Sequence, residues 1–160
     1  LFGENLGYLK PLFRAKTLRR LGALYDTSLR NSEDFYLVAG LLAEGADMRL
    51  HPSRGYNYLV RPGSISHRLT PALTAAIVNA DGVFAQKYAR VFDTRCAVAH
   101  AKRSAGLRNM HSFERVVQAV KARKPTAILT ALVERPAAMP HVASRLAGIA
   151  AAKFRRNEAS

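Results

Sequence analysis

The stretch Asn31-Ser32-Glu33-Asp34-Phe35-Tyr36-Leu37 decides how this chain is read. Asn31 or Ser32 is placed to cap a helix, accepting from the free N–H groups of the first turn. Glu33 and Asp34 come next, where a helix dipole stabilises anions. Phe35, Val38 and Leu42, with Leu37 and Leu41, supply an apolar face at spacings of three and four, and Gly45 is the expected C-terminal glycine. On these residues alone the two acids need do no more than complement the dipole.

Working outward, Gly45-Ala46-Asp47-Met48-Arg49-Leu50-His51-Pro52 reads as helix end, tight turn and short strand. Tyr56 to Arg61 reads as a second strand, and Pro62-Gly63-Ser64-Ile65-Ser66-His67 as a loop. Upstream, Tyr8 to Phe13 reads as an apolar strand that Pro11 demotes to an edge or bulge. Ala15 to Leu21 reads as a short helix closed by Gly22, and Tyr25 to Arg30 as a loop leading to the acidic helix. The expected class is therefore α/β (or α+β), with short strands around the Glu-Asp helix.

This order of elements resembles the catalytic half of family 2 glycosyltransferases with the GT-A fold. Gly7 to Arg14 is similar to the strand before the Glu-Asp helix in bacterial exopolysaccharide (succinoglycan-type) glycosyltransferases. The resemblance spans roughly residues 3 to 68. It implies inverting transfer of a sugar from a nucleotide-sugar donor to a saccharide or lipid-linked saccharide acceptor in polysaccharide biosynthesis. Asp34 would be the general base for the acceptor hydroxyl and Glu33 its neighbour. Arg61, Ser64, Ser66 and His67 would bind the donor pyrophosphate, where negative charge develops as the nucleotide leaves. Such enzymes hold nucleotide and a divalent metal (Mg or Mn) through an Asp-x-Asp signature, and no Asp-x-Asp occurs in this chain. The metal is therefore expected on residues outside it, with no metal ligand here, and the chain is expected to be an acceptor-side fragment, inactive alone. An uncovered sheet edge in such a half would favour a homo-oligomer.

After residue 68 the pattern becomes helical. Thr70-Pro71 is a cap and first-turn pair, and Leu73, Ile77, Phe84, Tyr88 and Val91 lie along one face, with Asp81-Gly82 a weak point. Asp93-Thr94 caps a helix expected to close near Gly106. Phe113, Val116, Val117 and Val120 mark another, ending in Lys121, Arg123 and Lys124 before Pro125. Ile128 to Val133 lies between prolines, and a last Ala-rich helix runs from about His141 to Phe154. The expected domains are thus a catalytic half over 1–68 and a basic helical extension over 69–160.

The chain of 160 residues carries a net charge of +14, unevenly spread. Residues 1–94 hold 12 Lys and Arg against 8 acids, and residues 95–160 hold 13 against 3. Such a module suits anionic lipid, phosphate or nucleic acid. An alternative reading of the whole chain is accordingly a basic helical binding module for nucleic acid or an anionic membrane surface. Nucleic acid is disfavoured, because no helix-turn-helix, zinc-finger or stacking signature is present. No apolar run is long enough to span a bilayer, no leader is visible, and the one cysteine, Cys96, fits a reducing compartment. The expected location is cytoplasmic, peripheral at the inner face of the cytoplasmic membrane.

Overall fold

The computed structural model describes residues 11–22, 24–51, 57, 69–145 and 147–148. Among these, five α-helices occur in order: α1 (Ala15–Leu21), α2 (Glu33–Ala43), α3 (Pro71–Tyr88), α4 (Thr94–Lys121) and α5 (Pro125–Val133). A 3₁₀ turn at Pro136–Ala138 comes next, and residues 139–145 and 147–148 are helical again. The described residues contain no strand, so the α/β (α+β) expectation is corrected to a mostly helical fold.

The reason is visible at residues 46–50. They alternate as a half-buried strand would, yet Met48 and Leu50 are 43% and 65% exposed. An extended segment becomes a strand only when a neighbouring strand pairs with its N–H and C=O groups, and among the described residues the one backbone bond found here, Ala46 N–H to Leu41 O, belongs to the end of α2. With no sheet among the described residues, the edge-strand argument for self-association falls as well. The segments expected as strands at Tyr8–Lys10 and Tyr56–Arg61 lie, Asn57 apart, outside the described residues, and Pro11–Phe13 is not strand.

Local signals placed the helix ends. Gly22 (φ 57°) and Gly45 (φ 83°) are both left-handed, a backbone state glycine enters without a Cβ penalty. At Gly45 the N–H groups of Gly45 and Ala46 return to the carbonyls of Leu42 and Leu41 at 3.0 and 2.9 Å. Thr70 Oγ1 accepts from Leu73 N–H at 3.2 Å, and Asp93 Oδ1 from Cys96 N–H at 2.7 Å. Two interior glycines do not act as expected. α3 runs unbroken through Asp81-Gly82 and α4 through Gly106. An interior glycine costs about 1 kcal/mol relative to alanine, less than packing along a long helix returns.

The chain divides into two compact units, and α3 and α4 each contribute to both. The first contains α1, α2, Asn79 onward in α3, and α4 up to Arg103. Its core is aromatic. Ala39, Phe84 and Tyr88 are buried, with Phe35, Tyr36, Ala43 and Phe92 packed on them. Successive rings touch at centroid distances of 5.2 Å (Phe35–Tyr36), 5.8 Å (Tyr36–Phe84) and 4.8 Å (Phe84–Tyr88). Tyr88 is buried with its hydroxyl satisfied, donating to Glu44 Oε1 at 3.1 Å.

The second unit takes Leu69–Val78, which includes the start of α3, then α4 from Ser104, and α5 with the residues after it. Phe113, Val116, Ala131, Ala138 and Val142 form its core. Thr74, fully buried, has its hydroxyl 2.8 Å from His111 Nδ1. Burial first, then the Arg115 charge, hold His111 below the usual histidine range. Arg115 pairs with Glu134, and Arg135 Nε donates to Asn109 Oδ1 at 2.8 Å.

α4 ends on an unusual residue. Arg123 is left-handed at φ 54°, while Lys124 N–H returns to Ala119 O at 3.0 Å. That conformation costs a side-chain-bearing residue about 1 kcal/mol. Arg123→Gly is therefore expected to raise the unfolding free energy by about 0.5–1 kcal/mol in urea titration, partly offset by a freer unfolded chain. A loss of stability would show that the Arg123 side chain supports the fold.

Candidate active site

The approach to α2 is set by Asp26, whose Oδ1 accepts from Ser28 N–H (2.9 Å) and Ser28 Oγ (2.6 Å). These bonds hold the Asp26 carboxyl below its usual range, and Leu29 is then buried. Ser32 is the residue before the helix, but its hydroxyl does not cap it; it donates to Asn31 Oδ1 at 3.0 Å. Instead Asp34 Oδ1 accepts the Phe35 N–H at 2.7 Å. The carboxylate thus satisfies one of the first-turn donors that a helix leaves open. Ser32 itself is left-handed at φ 67°.

Glu33 is half-buried and Asp34 exposed. Two carboxylates therefore occupy the first two positions of α2, and Asp34 is held by the backbone while open to solvent. Such a group can accept a proton from a hydroxyl brought within hydrogen-bond reach. Arg61, Ser64, Ser66 and His67 lie outside the described residues, and their position relative to the acids is therefore not assigned. No three His, Cys, Asp or Glu side chains among the described residues come together to hold a metal ion.

The turn that carries the acids is clamped by a network that sequence reading missed. Tyr36 donates its hydroxyl to Asp81 Oδ1 at 3.2 Å. His100 Nε2 lies 3.3 Å from Asp81 Oδ2, and Arg103 Nη1 lies 3.5 Å from Oδ1. The Arg103 guanidinium sits 3.9 Å from the Phe35 ring centroid, a stacking geometry suited to arginine. The Asp81 and His100 side chains are 3% and 10% exposed. Desolvation above all pushes the Tyr36 phenol well above its usual range, keeping it a neutral donor. Phe35 and Tyr36 directly succeed Asp34, so α3 and α4 hold the acid-bearing turn through them. One signal could have revealed this. The buried positions of α3 are Thr74, Ile77, Asp81, Phe84 and Tyr88, at alternating steps of three and four, and Asp81 stands on that stripe.

In the second unit an open cleft of about 450 Å³ is lined by Pro71, Arg115, Ala119, Thr126, Ala127 and Thr130. The one charged side chain among these six, Arg115, is engaged by Glu134, and they include no base or nucleophile beyond two threonine hydroxyls.

The chain is similar to two succinoglycan biosynthesis proteins of Rhizobium meliloti (strain 1021). It is 34% identical to ExoO over 152 residues, which cover 92% of this chain and 43% of ExoO. It is 42% identical to ExoU over 62 residues, 39% of this chain and 18% of ExoU. The chain thus spans less than half the length of these curated relatives. No protein-family model matches it, and no solved structure does.

Proposed function

We propose that this chain is part of an enzyme of bacterial exopolysaccharide synthesis, and that the reaction is an inverting sugar transfer. The role is supported by the similarity to ExoO along 92% of the chain, since ExoO is named for succinoglycan biosynthesis. The observation that carries the reaction is the start of α2: an exposed carboxylate, Asp34, held by the Phe35 N–H on a clamped turn.

In the proposed step the acceptor hydroxyl oxygen attacks the anomeric carbon of a nucleotide sugar. The new C–O bond forms as the bond from that carbon to the phosphate oxygen breaks. The hydroxyl proton passes to Asp34, and the nucleoside diphosphate leaves with the electron pair. Glu33 helps to place the acceptor. The resemblance alone assigns Arg61, Ser64, Ser66 and His67 to binding the departing pyrophosphate, where cations and donors lower the barrier most. The rest of the grip on the nucleotide, and most of that on any divalent cation, is assigned to residues outside this chain, and no step of this scheme runs through a metal. The acceptor is a saccharide, either free or lipid-linked.

Labelled nucleotide sugars offered with a lipid-linked saccharide acceptor test this. Purified Leu1–Ser160 alone is expected to transfer nothing, whereas the whole protein carrying the donor-binding half should yield product of inverted anomeric configuration, read by NMR. Robust transfer by Leu1–Ser160 alone, a retained configuration, or no transfer by the whole protein to any acceptor would each defeat the reading.

A further inference from the structure

We infer that the outward face of α5, with the cations just before it, docks on an anionic lipid bilayer. This does not depend on the sugar-transfer reaction. α5 contains no charged residue along Pro125–Val133. Its inner side is already used: Ala131 is 1% exposed, and Ile128 and Leu132 pack on the core around Phe113. Its exposed residues are Pro125, Thr126, Leu129, Thr130 and Val133; Leu129 and Val133, 63% and 75% exposed, stand one turn apart, and the Thr130 hydroxyl is turned back onto the Thr126 carbonyl at 3.0 Å. A helix with no charged residue and two large aliphatic side chains exposed beside its buried face is short of a covering partner. Val120 and Met139, at 53% and 48% exposure, continue the aliphatic character on either side in sequence.

Charge identifies that partner. Lys121, Arg123 and Lys124 are all exposed and, among the described residues, form no salt bridge. Of the described acids in this unit, Glu134 pairs with Arg115, while half-buried Glu114 is offset by the charges of Lys121 and Arg145 without forming a salt bridge to either. Arg123 moreover holds its cation in a left-handed conformation better suited to glycine. Exposed aliphatic side chains that follow lysine and arginine closely in sequence match the acyl and headgroup layers of an acidic membrane surface. A duplex would match the cations but leave Leu129 and Val133 uncovered, and α5 carries no aromatic residue on which a base could stack. At nine residues, α5 is about 13–14 Å long. No helix among the described residues is long and apolar enough to cross a membrane. The contact is therefore interfacial.

Each lysine or arginine at such a surface strengthens partition about fivefold. Vesicles of phosphatidylglycerol and phosphatidylcholine should bind the 160-residue chain, and pure phosphatidylcholine should not. The triple variant K121Q/R123Q/K124Q should lose roughly a hundredfold in partition at low salt. Arg123→Gly should lose about fivefold while unfolding no more easily than wild type, which separates surface chemistry from misfolding. Because the chain has no tryptophan, Leu129→Trp introduces a single depth probe. Its emission should shift blue and be quenched by brominated acyl chains, while Val98→Trp, at a 65% exposed position of α4, should not respond. Equal binding to neutral vesicles, no binding to acidic ones at low salt, unquenched emission from the vesicle-bound Leu129→Trp variant, or equal retention on duplex DNA would each overturn the inference.

Discussion

Asp34→Asn is expected to cut sugar transfer by the whole protein by about two to four orders of magnitude, the usual worth of a general base. The substitution keeps the shape of the side chain and an oxygen able to accept the Phe35 N–H, now 2.7 Å from Asp34 Oδ1. The helix start should therefore survive, and donor affinity should change little. What disappears is the basic oxygen, because an amide does not take the acceptor proton. Glu33→Gln, one position earlier and half-buried, should cost less if its part is to place the acceptor. Turnover of Asp34→Asn within a few-fold of wild type, measured at saturating donor and acceptor, would remove Asp34 from the chemistry. The acids would then serve only the helix dipole.

The second large effect is on stability. Asp81→Ala is expected to lower the unfolding free energy by about 3–5 kcal/mol, the cost of breaking a buried ion pair by removing one partner. Asp81 is 2% exposed, accepts from the Tyr36 hydroxyl and Arg103, and lies 3.3 Å from His100 Nε2. Removing it leaves a phenol, an imidazole and a guanidinium facing a cavity. Arg103 retains partial solvent access and can turn outward, which argues for the lower end. Tyr36→Phe removes only one hydroxyl and should cost about 1 kcal/mol. Denaturant titration followed by circular dichroism reads both. A loss below about 1 kcal/mol for Asp81→Ala would mean that the network contributes nothing net, and that the α2 turn is held by its aromatic rings alone.

The two substitutions probe parts of the chain that differ in how readily sequence reveals them. Gly22, Gly45, Thr70-Pro71, Asp93 and Pro125 mark helix ends from sequence alone. Each acts through its own backbone or a partner within about five residues, as the Thr70–Leu73 and Asp93–Cys96 bonds show. The acids at the start of α2 were legible for the same reason. Gly106 and Gly82 were misread as helix-weakening because their cost is local while the energy overriding it comes from packing along α3 and α4.

A short strand was expected after the turn within Gly45–Pro52, but a local reading describes only one side of a pairing that needs a second chain segment. Among the described residues that segment is absent, and Met48 and Leu50 stay exposed. The Asp81 network was hidden by distance along the chain. Tyr36 and Asp81 are 45 residues apart, and Asp81 and Arg103 22, so no window of sequence contains them together. What the residues determined by themselves, then, was those helix ends that carry a cap or a left-handed turn, because such signals are short-range, whereas the continuity of α4 through Gly106 was not among them. Which helix faces meet, and which buried carboxylate they enclose, was decided only by tertiary packing, because a buried charge persists only where distant side chains converge to satisfy it.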